Sequence, residues 1–324
     1  MSTDALSAAD PAARDANDDG DGERPETIWT SYSTRERALL AIGAIASYLI
    51  FSTVGRFFRI PELPNYQASL LTHPSPIIAV VITGVTLVAC VLLCTIITGR
   101  IHFEGGLFCA AVGMLALSTR GGPLRYVLMY ANSDGIFVRL AFETVVLFAV
   151  IAIGWYVLLI LRDNNLLHGE PLRDEDPDAL PMTGLMALGA QVIGMIFLMM
   201  LLAQSDKKAQ VTWSIVISSF LSTLLAHSLF PARPSIWFWS GPFVVALIGY
   251  VIAWFGPGPL IGGEVGGFLP QLGRPLPLDY AALGTAGAIM GYWTSRGWQH
   301  EREDEPDNPD KVEEALEEPA KATR

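Results

Sequence analysis

The chain has 324 residues, of which 51% are hydrophobic and only 16% charged, well below the roughly 25% charged residues of soluble domains. Its mean hydropathy is +0.40 and its formal net charge is −11, with the acids gathered in the two tails and one loop. These values exclude an ordinary soluble globule and argue against nucleic acid as a partner; they describe an all-α, polytopic integral membrane protein whose first partner is the lipid bilayer.

Residues 1–32 form an acidic N-terminal tail, expected to be disordered. They have neither the basic start nor the apolar core of a cleaved signal peptide. Trp29 and Tyr32 suit an interfacial position, and Ser33 with Glu36 has capping-box spacing, so a helix is expected to start there. A transmembrane domain is read over 33–298, with long apolar runs near 38–54, 76–98, 103–118, 136–161, 182–203, 211–230, 236–255 and 279–293. A span needs about 20 mostly apolar residues, which predicts about eight transmembrane helices. The count falls to seven if 103–118 does not span, because Glu104, Gly105 and Gly106 shorten its apolar part. The seventh run is the best bounded: Trp237 and Trp239 open it and Trp254 closes it. Residues 299–324 are an acidic C-terminal tail, in which Asn308, Pro309 and Pro319 have the order of a short capped helix.

Lysines and arginines near the span ends divide almost equally between the two sides, so the positive-inside rule decides little; both tails are expected in the cytoplasm. The side away from the tails carries Arg56, Arg59, Arg274 and the segment STRGGPLRY, where Arg120 and Arg125 flank a Gly-Gly-Pro turn. Arginine forks suit phosphate, so an anionic lipid or a small anionic solute is one reading, and interfacial anchoring is the other.

Ionisable residues inside spans are functional candidates by default. Arg139 and Glu143, four apart in the fourth run, are expected to share a face and neutralise one another. His227, with Ser219 and Thr223 behind it and Ser214, Ser218 and Ser222 in an adjoining row, makes the sixth run the most polar. Such rows either line a pathway or let helices pack closely, and Gly284, Gly287 and Gly291 in the last run carry the packing reading further. Between Gly256 and Tyr280 the chain reads GPGPLIGGEVGGFLPQLGRPLPLDY, a connector too long for a simple turn. Its apolar residues suit either a surface cap or a segment folded back into the bundle, where Glu264 would line a site.

For metals, His102 with Glu104 and His168 with Glu170 are the weak candidates, because neither pair sits in a helical HExxH or beside a PCxxC. Cys90, Cys94 and Cys109 read as buried thiols. No GxSxG, P-loop or dinucleotide fingerprint occurs, so no cofactor is expected. LFCAAVGMLALSTRG and LGTAGAIMGYWTSRG align only thinly as an internal repeat. The functional reading is a carrier or permease-like protein for a small or anionic molecule. Its rivals are a noncatalytic scaffold that binds protein through acidic tails or small-residue helix faces and, third, an intramembrane lipid-modifying enzyme.

Overall fold

The structure is a computed structural model describing residues 34–58, 69–98, 102–124, 127–128, 135–163, 181–256, 260–261, 264–265 and 270–304. Its helices are α1 (Thr34–Val54), α2 (Pro76–Thr98), α3 (Gly105–Ser118), α4 (Ile136–Asp163), α5 (Pro181–Leu202), α6 (Lys208–Leu229), α7 (Ile236–Trp239), α8 (Gly241–Phe255), α9 (Pro277–Asp279) and α10 (Thr285–Asp304). A π-helical turn, Tyr280–Gly284, joins α9 to α10. Apolar sequence becomes helix because hydrocarbon offers the backbone no hydrogen-bond partner outside the segment. Proline opens α2, α5 and α9, where its fixed φ suits the first turn and its missing N–H costs nothing. Ser33 of the expected capping box and the acidic tail beyond residue 304 lie outside the described residues.

Among the described residues, six helical runs are long and apolar enough to cross a bilayer: Thr34–Val54, Pro76–Thr98, Ile136–Arg162, Met182–Leu202, Lys208–Leu229 and Ile236–Phe255. The expected eight is not reached by that measure. α3 has only 14 residues, and α10 ends in Arg296, Glu301, Arg302, Glu303 and Asp304. α3 and the start of α10 lie inside the bundle. Eleven of the 14 residues of α3 are buried, as is every residue from Pro275 to Ile289. The outer helices turn large apolar side chains outward instead: Ile42, Ile45 and Leu49 on α1, and Ile193, Phe197 and Leu201 on α5. A helix wrapped by other helices meets no lipid, so its length and apolarity are less constrained than those of the outer ring.

Successive helices run between the same two ends. At one end His102 stacks on Trp293 at 4.4 Å and Arg162 sits over Phe103 at 5.4 Å. The start of α1 joins them, because Glu36 acts electrostatically on His102. We call this the tail end. At the opposite, far end, Arg120 donates to the Ser52 carbonyl at 2.7 Å and Arg274 to the Ala203 carbonyl at 2.6 Å.

Small residues set the tightest contacts, as expected where helices associate in lipid by close packing. A Cβ at Gly106 would collide with Thr95 Oγ1 of α2, and one at Gly113 would lie 2.6 Å from Ser47 Cβ of α1. Gly105 and Gly106, which weaken the third run as a span, thus let α3 approach α2. On the other side of the bundle Gly287 and Gly291 meet the Val216 and Phe220 carbonyls of α6. Ser219 Oγ there donates to the Gly284 carbonyl at 2.7 Å.

The glycine- and proline-rich stretch after α8 divides in two. Leu260–Ile261 pairs antiparallel with Glu264–Val265, Ile261 opposite Glu264; the side chain of Glu264 lies outside the described residues. Beyond it, a 3-10 turn at Gln271–Gly273 and α9 enter the far end of the bundle. Tyr250 OH donates to the Pro275 carbonyl at 2.6 Å and Tyr280 OH to that of Leu272 at 2.8 Å. Two tyrosines therefore hold the second half of the connector inside.

Candidate functional site at the far end

Two carboxyl groups are buried at this end, with different surroundings. Asp279 is the third residue of a helical run that Pro277 opens, so its side chain can reach the backbone N–H of Leu276, at 2.8 Å. Ser118 Oγ donates to it at 2.5 Å, and Lys208 Nζ, at the start of α6, reaches its two oxygens at 2.6 and 2.8 Å. Charge and lone pairs are both answered, which a buried ion pair requires if it is not to cost stability.

Glu143 lies two turns into α4 and is fully buried. Its Oε2 accepts from the Ser69 hydroxyl and, at 3.0 Å, from the Leu71 N–H. Among the described residues its Oε1 has no hydrogen-bond partner. The expected pairing with Arg139 does not form. The inner boundary of the bundle passes between the two residues: Arg139 is exposed and Glu143 is not. Four-residue spacing put them on neighbouring faces, and lipid and protein divided those faces.

A narrow cleft separates the two carboxyl groups. Its walls are Phe58, Ser69, Leu70 and His73 on one side and Leu117, Ser118, Gly121, Leu276 and Leu278 on the other. Ser69 and Ser118, the hydroxyls that donate to Glu143 and Asp279, both face it. The cleft has room on the order of one water in this conformation. Chemically it offers two rotatable hydroxyls backed by buried carboxyl groups, an arrangement suited to a donor-bearing or cationic group.

The remaining candidates distribute as follows. Arg120 is spent on the Ser52 carbonyl and hydroxyl, at 2.7 and 2.6 Å; Arg125 lies outside the described residues. His227 is buried at the tail end, its Nδ1 2.9 Å from Ser295 Oγ and its ring edge-on to Phe238 and Tyr292. Both serine and threonine rows of α6 are buried, and Thr223 accepts from Gln191 Nε2 at 2.6 Å. These contacts join α6 to its neighbours, so packing describes them. His102 and Glu104 both grip Trp293, the first by stacking and the second by accepting its indole N–H at 3.3 Å. Burial, then the nearby Arg296, push His102 down to about 4 against the pull of Glu36. Among the described residues no three histidine, cysteine or acidic side chains converge as a metal would require; His168 and Glu170 lie outside them. The three cysteines are free and buried.

Sequence reasoning missed Asp279, Lys208, Ser69 and Ser118. Proline at the first and aspartate at the third helical position did mark Asp279 as a helix start. Nothing local marked Lys208, whose partner is 71 residues away. Comparison with protein families, with curated proteins and with solved structures finds no match.

Proposed function

We propose that the chain is an eight-pass membrane carrier for a small solute, with both tails in the cytoplasm and the far-end cleft as the place where the solute is admitted. One observation carries this reading. Glu143 is a fully buried intramembrane carboxyl with an unpartnered oxygen, set directly behind a cleft-lining hydroxyl. Burying a carboxyl group without a counter-charge is costly, and ionisable groups inside spans tend to mark functional sites, which supports the carrier over a scaffold. Among the described far-end basic groups, Arg120, Lys208 and Arg274 are engaged with the protein itself, while Arg56 and Lys207 are exposed and do not line the cleft, which supports a solute bearing an amine over an anionic one. The narrowness of the cleft fits a closed state, from which movement of the connector held by Tyr250 and Tyr280 would admit the solute.

The test is uptake by vesicles reconstituted with the full chain, offered a panel of amines, amino acids and carboxylic acids and read by mass spectrometry. At least one amine should accumulate above protein-free vesicles, and Glu143→Gln should reduce its uptake roughly tenfold or more, the loss expected for a charged hydrogen-bonding group. Folded, inserted protein that moves no solute, together with a soluble partner released by removing the acidic tails, would establish the scaffold instead.

A further inference from the structure

We propose that Glu143 is a proton-binding site, and that this proton is the ion coupled to solute movement at the cleft; the coupling, though not the site, rests on the carrier reading above. The contacts of the carboxyl group identify the ligand. Among the described residues the groups that bond the carboxyl group are all donors: the Ser69 hydroxyl and the Leu71 N–H at Oε2, with the Leu70 N–H beside them. An alkali or divalent cation needs a shell of several oxygens, and donors aimed at the carboxyl group oppose one. Oε1 has no hydrogen-bond partner among the described residues. A single hydrogen there removes the buried charge without the oxygen shell that a metal cation would need.

Among the described residues no cation lies against the carboxyl group to substitute for the proton. Lys208 is committed to Asp279, and Arg139, on the same helix as Glu143, is exposed. The other titratable groups on this side are Tyr250 of α8, Asp279 and Tyr280 at the start of the last helix, and His73 beside the 3-10 turn Leu70–Thr72. The tyrosine hydroxyls both donate to backbone carbonyls of the connector, so neither bonds Glu143. The simplest rival is that Glu143 is only an ionised tether for the 3-10 turn, which its bonds to Ser69 and Leu71 would also serve.

Reaction with dicyclohexylcarbodiimide separates the two. The reagent takes a carboxyl group that carries its proton: the carboxyl oxygen bonds the central carbon, the proton passes to nitrogen, and migration of the acyl group to nitrogen leaves a stable acylurea. The full-length protein, in detergent and in vesicles, would be treated across a pH series and mapped by peptide mass spectrometry. The expected result is an adduct at Glu143 whose yield falls by about tenfold per pH unit above its midpoint, with none at the ion-paired Asp279. No adduct at Glu143 at any pH in folded protein would overturn the proposal and leave the tether. Protection of Glu143 by sodium or potassium at fixed pH would overturn it in favour of an alkali ion. Labelling of the native chain needs no variant to fold. An adduct without solute uptake would sink the carrier reading while the proton site stood, and pH-driven uptake that survives in Glu143→Gln would do the reverse to the coupling.

Discussion

At the scale of single residues, what decides the far end is which buried charge has a counter-charge. Asp279 has Lys208, and the pair should be a structural element of that end. Lys208→Met leaves Asp279 with the Ser118 hydroxyl and the Leu276 N–H but no cation. A loss on the order of 3 kcal/mol is expected, toward the lower part of the range for broken buried pairs because the Lys208 side chain is 20% exposed. Denaturant unfolding in detergent would measure it, and the double variant Lys208→Met with Asp279→Leu should recover much of the loss. An unchanged midpoint in the single variant would mean that the pair is not formed in solution. Glu143 shows why such assignments were only partly legible in the sequence. Its presence in a span marked it as functional, but a four-residue rule supplied the wrong partner. The true partners, Ser69 and Leu71, lie more than 70 positions earlier and carry no local signal.

At the scale of helices, the long apolar runs were readable because the bilayer demands about 20 apolar residues of any helix that faces it. α3 was ambiguous for the opposite reason. It sits among other helices, so its glycines serve contact with α2 and its 14 residues need not match the hydrocarbon. The rows of small residues on α6 and α10 were read as packing or pathway, and the contacts favour packing: Gly291 meets the Phe220 carbonyl, and Ser219 bonds Gly284. Substituting leucine gives a sharp contrast. Gly291→Leu would force a side chain into Phe220 and Thr223, at a cost of about 1–3 kcal/mol or more for overpacking. Gly189→Leu on α5, where a Cβ meets nothing within 4 Å, should be neutral or stabilising by up to about 1 kcal/mol through helix propensity. Thermal unfolding of the two variants side by side checks this, and equal effects would refute the packing account of the α6–α10 seam.

At the scale of the whole molecule, the tail end is clamped and the far end holds the proposed site. His102, Glu104 and Trp293 lock the tail end together, and His227 adds its bond to Ser295. The far end combines a cleft, two buried carboxyl groups and a connector with extended segments tied down by two tyrosine hydroxyls. The glycine- and proline-rich connector was visible in the sequence as an unusual stretch, and the candidate chosen there was Glu264, whose side chain lies outside the described residues. Among the described residues the connector contributes Leu276 and Leu278 to the cleft, and it leads directly into Asp279. Composition showed that the stretch was special, while only the fold shows which half enters the bundle.

The central claim is that the cleft opens to water on the side away from the tails. In full-length protein with Cys90, Cys94 and Cys109 replaced by alanine, a single Ser69→Cys would be challenged with a charged, membrane-impermeant thiol reagent from each side of oriented vesicles. Thr223→Cys in the packed seam serves as the comparison. The account predicts labelling of Ser69→Cys from the far side alone, and no labelling of Thr223→Cys from either side. A folded Ser69→Cys protein that is silent from both sides, or labelled only from the tail side, would contradict it.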